Sequence, residues 1–556
     1  MENKFKKILP FALLAAAVGV FYSRLFNGFF QQDEWYSYGY FLAHRNLDFL
    51  NFVKFVFAPN VTHYNPITVF IEYVLFHAWG MDYIKFMVIG LISHVLAVFS
   101  VYLLSKRIFK DVVLSFLTAL LFGLFAAPYQ GAAWVIVDIA TLWASILGVL
   151  STLFFLDFLD KKRQKYFIVS IVFLVISLFV KEIAIGLFPM FFLTWFFYGG
   201  KKKEIKNLVL LVVIACVYFL FRIGMAVTNP GAGGGLVTQS QSFNYLIYNF
   251  FTVPLKVLSQ TLIPYDVFKM ISLYVSRFFP TNVSGRPGTT KFEIFAIHNV
   301  METISIGLSL LIIVSIIIFT IKLWKKNKEW LLVIASLLWI VLNSFIFSFA
   351  PETSGVINIV DSRNLYFTAI GVAFLIILLT KIYVRKNDFK FLIIFIPVVI
   401  LNIFWLNSYL SNFVELGRVR RVILQQISTD NPHLPQKVIF YTDSNKEYYG
   451  LAEKIMPFQS GFGQTLLAWY NRRQDFPSVF FKNRYLWDIR SQGYQEVDGV
   501  GFGYFRDINL LREAIIQNKL SIDNLVAYRF NAGSNSLVNI TSEIRVELAQ
   551  NGKTKK

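Results

Sequence analysis

Apolar residues in this chain run in long unbroken stretches, separated by short polar breaks, instead of alternating with polar positions. Runs of about 20 apolar residues predict helices that cross a hydrocarbon core, which is about 30 Å thick and is spanned at about 1.5 Å per residue. The opening MENKFKKILPFALLAAAVGVFY has the basic end and small residues of a signal peptide, but its apolar stretch continues through Phe26 to Phe30. A retained first span running outward is the better reading. Further spans are predicted near 84 to 105, 111 to 127, 132 to 156, 166 to 181, 183 to 199, 207 to 226, 301 to 323, 329 to 350, 363 to 383 and 391 to 410. About eleven spans result. Two long loops, roughly 31–83 and 227–300, interrupt this 1–411 region, and the pattern changes again beyond it. Residues 412–429 read as a linker and 430–556 as a small α/β domain, with KVIFYTD and LVAYRF as strands and helices near Gly463 to Tyr470 and over INLLREAIIQ.

Composition sharpens this picture. Of 556 residues 56% are hydrophobic and 15% charged, against about 25% charged in an ordinary soluble domain. A soluble enzyme and a disordered chain are both excluded. The net charge of +20 would suit a nucleic-acid binder, but its distribution points elsewhere. Basic residues cluster at Lys4 to Lys7, Lys106 to Lys110, Lys161 to Lys165, Lys201 to Lys206, Lys322 to Lys328 and Lys381 to Lys390, each against an apolar run. This is the positive-inside pattern. It places the N-terminus in the cytoplasm, both long loops outside and, with an odd span number, the C-terminal domain outside. The single cysteine, Cys216, lies inside a span, with neither a disulfide partner nor a metal cluster at ligand spacing. No His or Cys group has zinc-like spacing, so no metal and no cofactor is expected, a divalent cation held by Asp33 and Glu34 being the alternative.

Candidate chemistry gathers at the outer boundary. Gln31-Gln32-Asp33-Glu34-Trp35-Tyr36 sets two adjacent carboxylates among aromatic residues just past the first span. Crowded negative charge beside an apolar medium suits a general base or a cation holder, although a solvated loop start has the same composition. His63-Tyr64-Asn65-Pro66-Ile67-Thr68 follows in the same loop, then Lys85, and Ser93-His94 within a span. Pro128 and Ala133-Trp134 stand between two spans, Lys181-Glu182 between two others, and Asp361-Ser362-Arg363-Asn364-Leu365-Tyr366 before a late one. The segment Asn229 to Gly235 is glycine-rich and reads either as a mobile gating loop or as a passive connector. Gly499 to Gly503 lacks phosphate-loop spacing and reads as a strand turn.

In order and spacing these motifs resemble the GT-C fold, the polytopic glycosyltransferases that include protein O-mannosyltransferases and aminoarabinose transferases. The resemblance covers roughly residues 8 to 410. It implies an all-α membrane enzyme that uses a polyprenyl-phosphate sugar, with Asp33 as catalytic base and Glu34 beside it. His94 is similar to a histidine often found in the second span of the family, Lys181-Glu182 to a recurrent Lys-Glu between short spans, and Arg363 with Tyr366 to an Arg-x-x-Tyr. Asn65-Pro66-Ile67 stands where the family often has Arg-Pro-Leu, so an arginine that could meet phosphate is missing there.

The implied chemistry fits the residue types. An anionic phosphate leaving group needs cations and an acceptor hydroxyl needs a carboxylate. Lys181, Arg363 and Arg222 are the cation candidates. Structural pairing of Lys181 with Glu182, of Arg363 with Asp361, and snorkelling of Arg222 are the plain alternatives. His63, Tyr64, His94, Glu182 and Tyr366 are candidate substrate contacts, while His94 also reads as a hydrogen bonder between helices. The function expected is an inverting hexosyl or pentosyl transfer from the lipid-linked donor to an extracytoplasmic glycan, lipid or protein. A transporter or flippase of lipid-linked sugars and a silent membrane scaffold are the rivals. Neither the sugar nor the acceptor is legible.

Overall fold

The computed structural model describes residues 2–58, 64–197, 205–228, 243–324, 329–349, 355–384, 388–444, 461–486, 492–531, 533–534 and 536–553. The chain divides into two compact units. One comprises Met1–Phe26, Phe52–Glu72 and Ile84–Ser411, the other Asn27–Asn51, Tyr73–Tyr83 and Asn412–Lys556. Two stretches of the first outer loop therefore belong with the C-terminal region, a grouping that linear hydropathy has no means of detecting.

The first unit is helical. Among the described residues eight helices are long and apolar enough to cross a membrane, from Lys7–Asn27 to Phe389–Asp430, and the protein is an integral multi-pass membrane protein. Two of the expected spans, near 111 to 127 and 183 to 199, form helices shorter than predicted. Val112–Gly123 starts on the side chain of Asp111, which accepts from the Leu114 N–H at 2.9 Å. Gln164–Val180 and Leu187–Phe197 have 17 and 11 residues, and at about 1.5 Å per residue the second covers only about half of a hydrocarbon core. Chain extension at Lys181, with φ −163° and ψ 143°, breaks the two apart. Gly186 then lies so close to the helix Glu329–Ser344 that a Cβ there would stand 2.3 Å from the Leu342 carbonyl oxygen.

The described part of the second long loop, from Phe243 on, is largely helical, where the hydropathy pattern predicts only a loop. Helix Phe243–Leu262 meets helix Tyr265–Ser276 at 106°. The break falls at Ile263-Pro264, because proline lacks an N–H and disfavours helical backbone in the residue before it. Helix–helix contact in this unit uses hydroxyls as well as packing. Ser151 and Ser170 each donate to the other's carbonyl at 2.8 Å, joining Val135–Lys161 to Gln164–Val180. The glycine-rich segment Asn229 to Gly235 lies outside the described residues.

The second unit contains a five-stranded sheet: β1 (Lys437–Ser444), β2 (Gly493–Val497), β3 (Val500–Phe505), β4 (Leu525–Asn531) and β5 (Ser536–Asn539), in the order β2-β3-β1-β4-β5. Central β1 runs parallel to β3 and β4, and the edge strands are antiparallel. The strands and helices expected from KVIFYTD, LVAYRF and INLLREAIIQ all form. Asp498 and Gly499, with φ 51° and 79°, make the tight β2–β3 turn, so the Gly499 to Gly503 segment is a hairpin as predicted. Ile439, Phe505, Leu511, Leu525, Ala527 and Ile544 fill one side of the sheet.

The expected linker at 412–429 is instead the end of a 43-residue helix, Asp388–Asp430. Its buried positions Phe413, Arg420, Leu424 and Ile427 recur at helical spacing. This face is amphipathic where the first part of the helix is uniformly apolar, which explains why hydropathy alone ends the helix early.

Candidate functional site

Asp33 and Glu34 open the helix Gln32–Leu42 of the second unit. A carboxylate in a first helical turn is favoured by the unpaired N–H groups and by the helix dipole. Glu34 is 1% exposed, and its carboxylate accepts the backbone N–H of Gln31. It thereby caps the helix, while Asp33 is only half-buried. The preceding turn is held in place: Arg420 donates to the Phe30 carbonyl at 3.2 Å and Arg421 to that of Gly28 at 3.3 Å. Trp35 is fully buried and packs against Phe29, Phe30 and Trp469. Gly39 faces Gln464 of the helix Phe462–Tyr470 at a distance that leaves no room for a Cβ. Asp33 thus stands on a rigid mount.

Tyr64, Lys181, Glu182, Arg222 and Arg363 belong to the first unit and gather around the break between Gln164–Val180 and Leu187–Phe197. Lys181 is 8% exposed, and its ammonium donates to Thr141 Oγ1 at 2.8 Å. Adjacent Glu182 turns elsewhere: one oxygen accepts the Tyr64 N–H at 2.7 Å and lies 3.2 Å from the Arg222 guanidinium. Thr68 donates to the Val180 carbonyl at 2.7 Å, so the Tyr64 to Thr68 segment is stitched to both sides of Lys181. Charges acting on Lys181 include Arg363, which opposes it, and Glu182, Asp361 and Glu72, which favour it. Arg363 pairs with Asp361 at 3.2 Å and lies over the Trp134 ring, 5.1 Å from its centroid. A charge within an apolar unit is costly without such partners, and the described cluster supplies them from five separate stretches of sequence.

His94 and Tyr366 are engaged with each other. The Gly123 carbonyl, which only accepts, lies 3.1 Å from His94 Nε2, so that nitrogen carries the proton. Nδ1 then accepts the Tyr366 hydroxyl at 2.7 Å. Both residues are about 1% exposed and tie three helices together. His63 lies outside the described residues. An apolar cavity of about 490 Å³ beside Leu104, Phe155, Phe191 and Trp339 contains none of the candidates. No group of three His, Cys, Asp or Glu placed to hold a metal occurs among the described residues.

Sequence reasoning missed one buried polar row. Helix Phe243–Leu262 presents Asn249, Lys256 and Gln260 on one face. Asn249 donates to the Gly355 carbonyl at 2.9 Å and accepts from the Ile357 N–H at 3.0 Å. Lys256 is fully buried, pairs with Glu302 and donates to the Ile357 carbonyl at 2.6 Å. Gln260 accepts from the Val360 N–H at 2.9 Å. The row holds the backbone of 355–360 immediately ahead of Asp361 and Arg363. Its signal in the sequence was the spacing of seven and then four residues, which returns to one helical face.

No protein-family model matches the chain, and no curated protein matches it. Solved structures similar to it are the oligosaccharyltransferase of Archaeoglobus fulgidus in the apo form (13% identity, TM-score 0.40, covering 80% of this chain and 63% of that one) and in complex with zinc and sulfate (14%, 0.41, 83% and 61%). This chain therefore spans about three fifths of the length of that protein. ArnT from Cupriavidus metallidurans bound to undecaprenyl phosphate is similar over more of its length, at 12% identity and a TM-score of 0.37 over 95% of this chain and 93% of that one. At these scores the likeness is one of general helical layout and transfers no residue assignments.

Proposed function

We propose that the chain is a GT-C-type glycosyltransferase that moves a sugar from a polyprenyl-phosphate donor to an acceptor hydroxyl on the extracytoplasmic face. The observation that carries this reading is Lys181: a buried ammonium, hydrogen-bonded to the neutral Thr141 hydroxyl, whose neighbouring carboxylate is turned to Arg222. A buried cation so placed suits an incoming anion, and a lipid-linked phosphate is the anion that a membrane-embedded site meets. Lys181 and Arg363 are assigned to the phosphate, and Arg222 to holding the Glu182 carboxylate. Asp33 is assigned as base, with Glu34 fixing the helix that bears it, and His94 and Tyr366 as packing residues.

In this reading the acceptor oxygen attacks the anomeric carbon as its proton passes to the Asp33 carboxylate. The bond from that carbon to the phosphate oxygen breaks, and polyprenyl phosphate leaves with the electron pair. Attack opposite the leaving group inverts the anomeric centre. No metal is required by these steps.

The test is transfer of labelled sugar from a panel of polyprenyl-phosphate sugars to cell-envelope acceptors by the purified full chain and by Asp33→Asn, both shown to be folded. Loss of about 10²- to 10⁴-fold in the variant is expected, the usual contribution of a general base. Full activity in the variant defeats the assignment of Asp33. The break at Ile263-Pro264 also suits a transporter, since discontinuous helices form transporter sites. Binding of the donor with movement across the bilayer and no transfer would favour that second reading.

A further inference from the structure

The helix Ile205–Thr228 meets lipid over most of its surface and the rest of the unit along one face. Leu208, Leu211 and Tyr218 are buried on that face, and Arg222 follows one turn after Tyr218 with its side chain 13% exposed. The Tyr218 residue is 8% exposed, and its hydroxyl has no hydrogen-bond partner among the described residues. Water at the surface of a soluble protein would satisfy such a group, whereas hydrocarbon offers nothing. A buried phenol without a partner carries a desolvation cost that a hydrogen bond from a ligand offsets. Arg222, one turn on, lies 3.2 Å from the Glu182 carboxylate, which also accepts the Tyr64 N–H at 2.7 Å, so these groups stand next along the face that bears the phenol.

This mixture selects among ligands. A phosphate oxygen beside Tyr218 would face the Glu182 carboxylate, a repulsion that costs more in a low dielectric. A neutral hydroxyl suits it, donating to Glu182 while taking a hydrogen bond from the phenol or from Arg222. Neighbouring hydroxyls of a sugar ring present this combination of donors and acceptors. We propose that Tyr218 and Glu182 hold ring hydroxyls of the donor sugar, and that Tyr218 is a specificity-determining contact. The inference rests on the reading of the chain as a polyprenyl-phosphate-sugar transferase and assigns the sugar end of that donor.

The test compares binding of polyprenyl-phosphate sugars and of the sugar-free polyprenyl phosphate to the full chain and to Tyr218→Phe in detergent. The expected result is about 10-fold weaker binding of the sugar-bearing lipid by the variant, one hydrogen bond's worth, with sugar-free lipid bound equally by both proteins. Thermal stability should be unchanged or slightly raised, because the hydroxyl removed has no hydrogen-bond partner among the described residues. A donor sugar lacking the contacted hydroxyl should bind both proteins alike. Equal weakening for both lipids would place Tyr218 at the phosphate or in the packing and overturn the proposal, as would no weakening for either. Failure of the wild-type chain to bind any sugar-bearing donor defeats the transferase reading itself and removes this inference with it.

Discussion

Two ion pairs of the first unit lie beneath its surface: the side chains of Lys256 and Glu302 are 0% and 12% exposed, and those of Arg222 and Glu182 13% and 6%, whereas Arg363 and Asp361 in the same unit are 30% and 58% exposed. In the second unit Arg529 bridges Asp443 and Glu543 with all three side chains between 38% and 57% exposed, and Arg45 meets an Asp475 that is 81% exposed. Water screens the second set, whereas a buried charge that loses its partner has none to turn to, so removing one partner costs severalfold more in the buried pairs. Glu34 and Arg420 are the acidic and basic residues buried in the second unit among those described, and both fix the turn and helix that bear Asp33. Where a unit built for water buries charge, it does so at the candidate base.

Breaking the deepest pair should have the largest effect. Lys256→Met leaves the Glu302 carboxylate buried beside a methionine, and about 3–5 kcal/mol of destabilisation is expected, read as a fall in the thermal midpoint of the detergent-solubilised chain. The double variant Lys256→Met/Glu302→Leu should recover most of that loss. A double variant as unstable as the single one would show that the hydrogen bonds to 355–360 matter more than the ion pair.

Gly186→Ala comes next. The added methyl meets the backbone of Leu342 and Asn343 at 2.3–2.7 Å, so two helices must separate, at a cost of about 1–3 kcal/mol or more. An unchanged midpoint would mean that the helices are not this close.

Arg420→Leu sharpens the exception in the second unit. Loss of its charged hydrogen bond to Phe30 should cost about 1.5–3 kcal/mol locally. Hydrogen exchange over Gln32–Leu42 should accelerate roughly tenfold or more by that amount. Exchange unchanged in that helix would detach Arg420 from the mounting of Asp33.

Arg529→Ala should be the mildest. Both of its partners are solvent-exposed, so less than about 1 kcal/mol is expected, seen as a small shift in chemical denaturation of the full chain. A loss comparable to that of Lys256→Met would remove the distinction between the units.

Apolar run length already carried the membrane class, and residue alternation the strand and helix pattern of the C-terminal sheet. These properties are local: run length, alternation and turn residues act within a few residues of themselves. The adjacency of Lys181 and Glu182 suggested that they pair, and there local reasoning reached its limit. Extended backbone at Lys181 sends the two side chains in different directions, to Thr141 and to Arg222, 40 residues away on either side. The helix Phe243–Leu262 escaped notice because its polar row reduces the hydropathy that marks a span, though the same row is buried against 355–360. Likewise the first outer loop reads as one segment, but its residues divide between two units. Sequence alone therefore determined what kind of medium each stretch occupies, since transfer from water to hydrocarbon is summed residue by residue. Tertiary structure alone decided which charges meet, because partners separated by up to several hundred residues are chosen by packing and not by spacing.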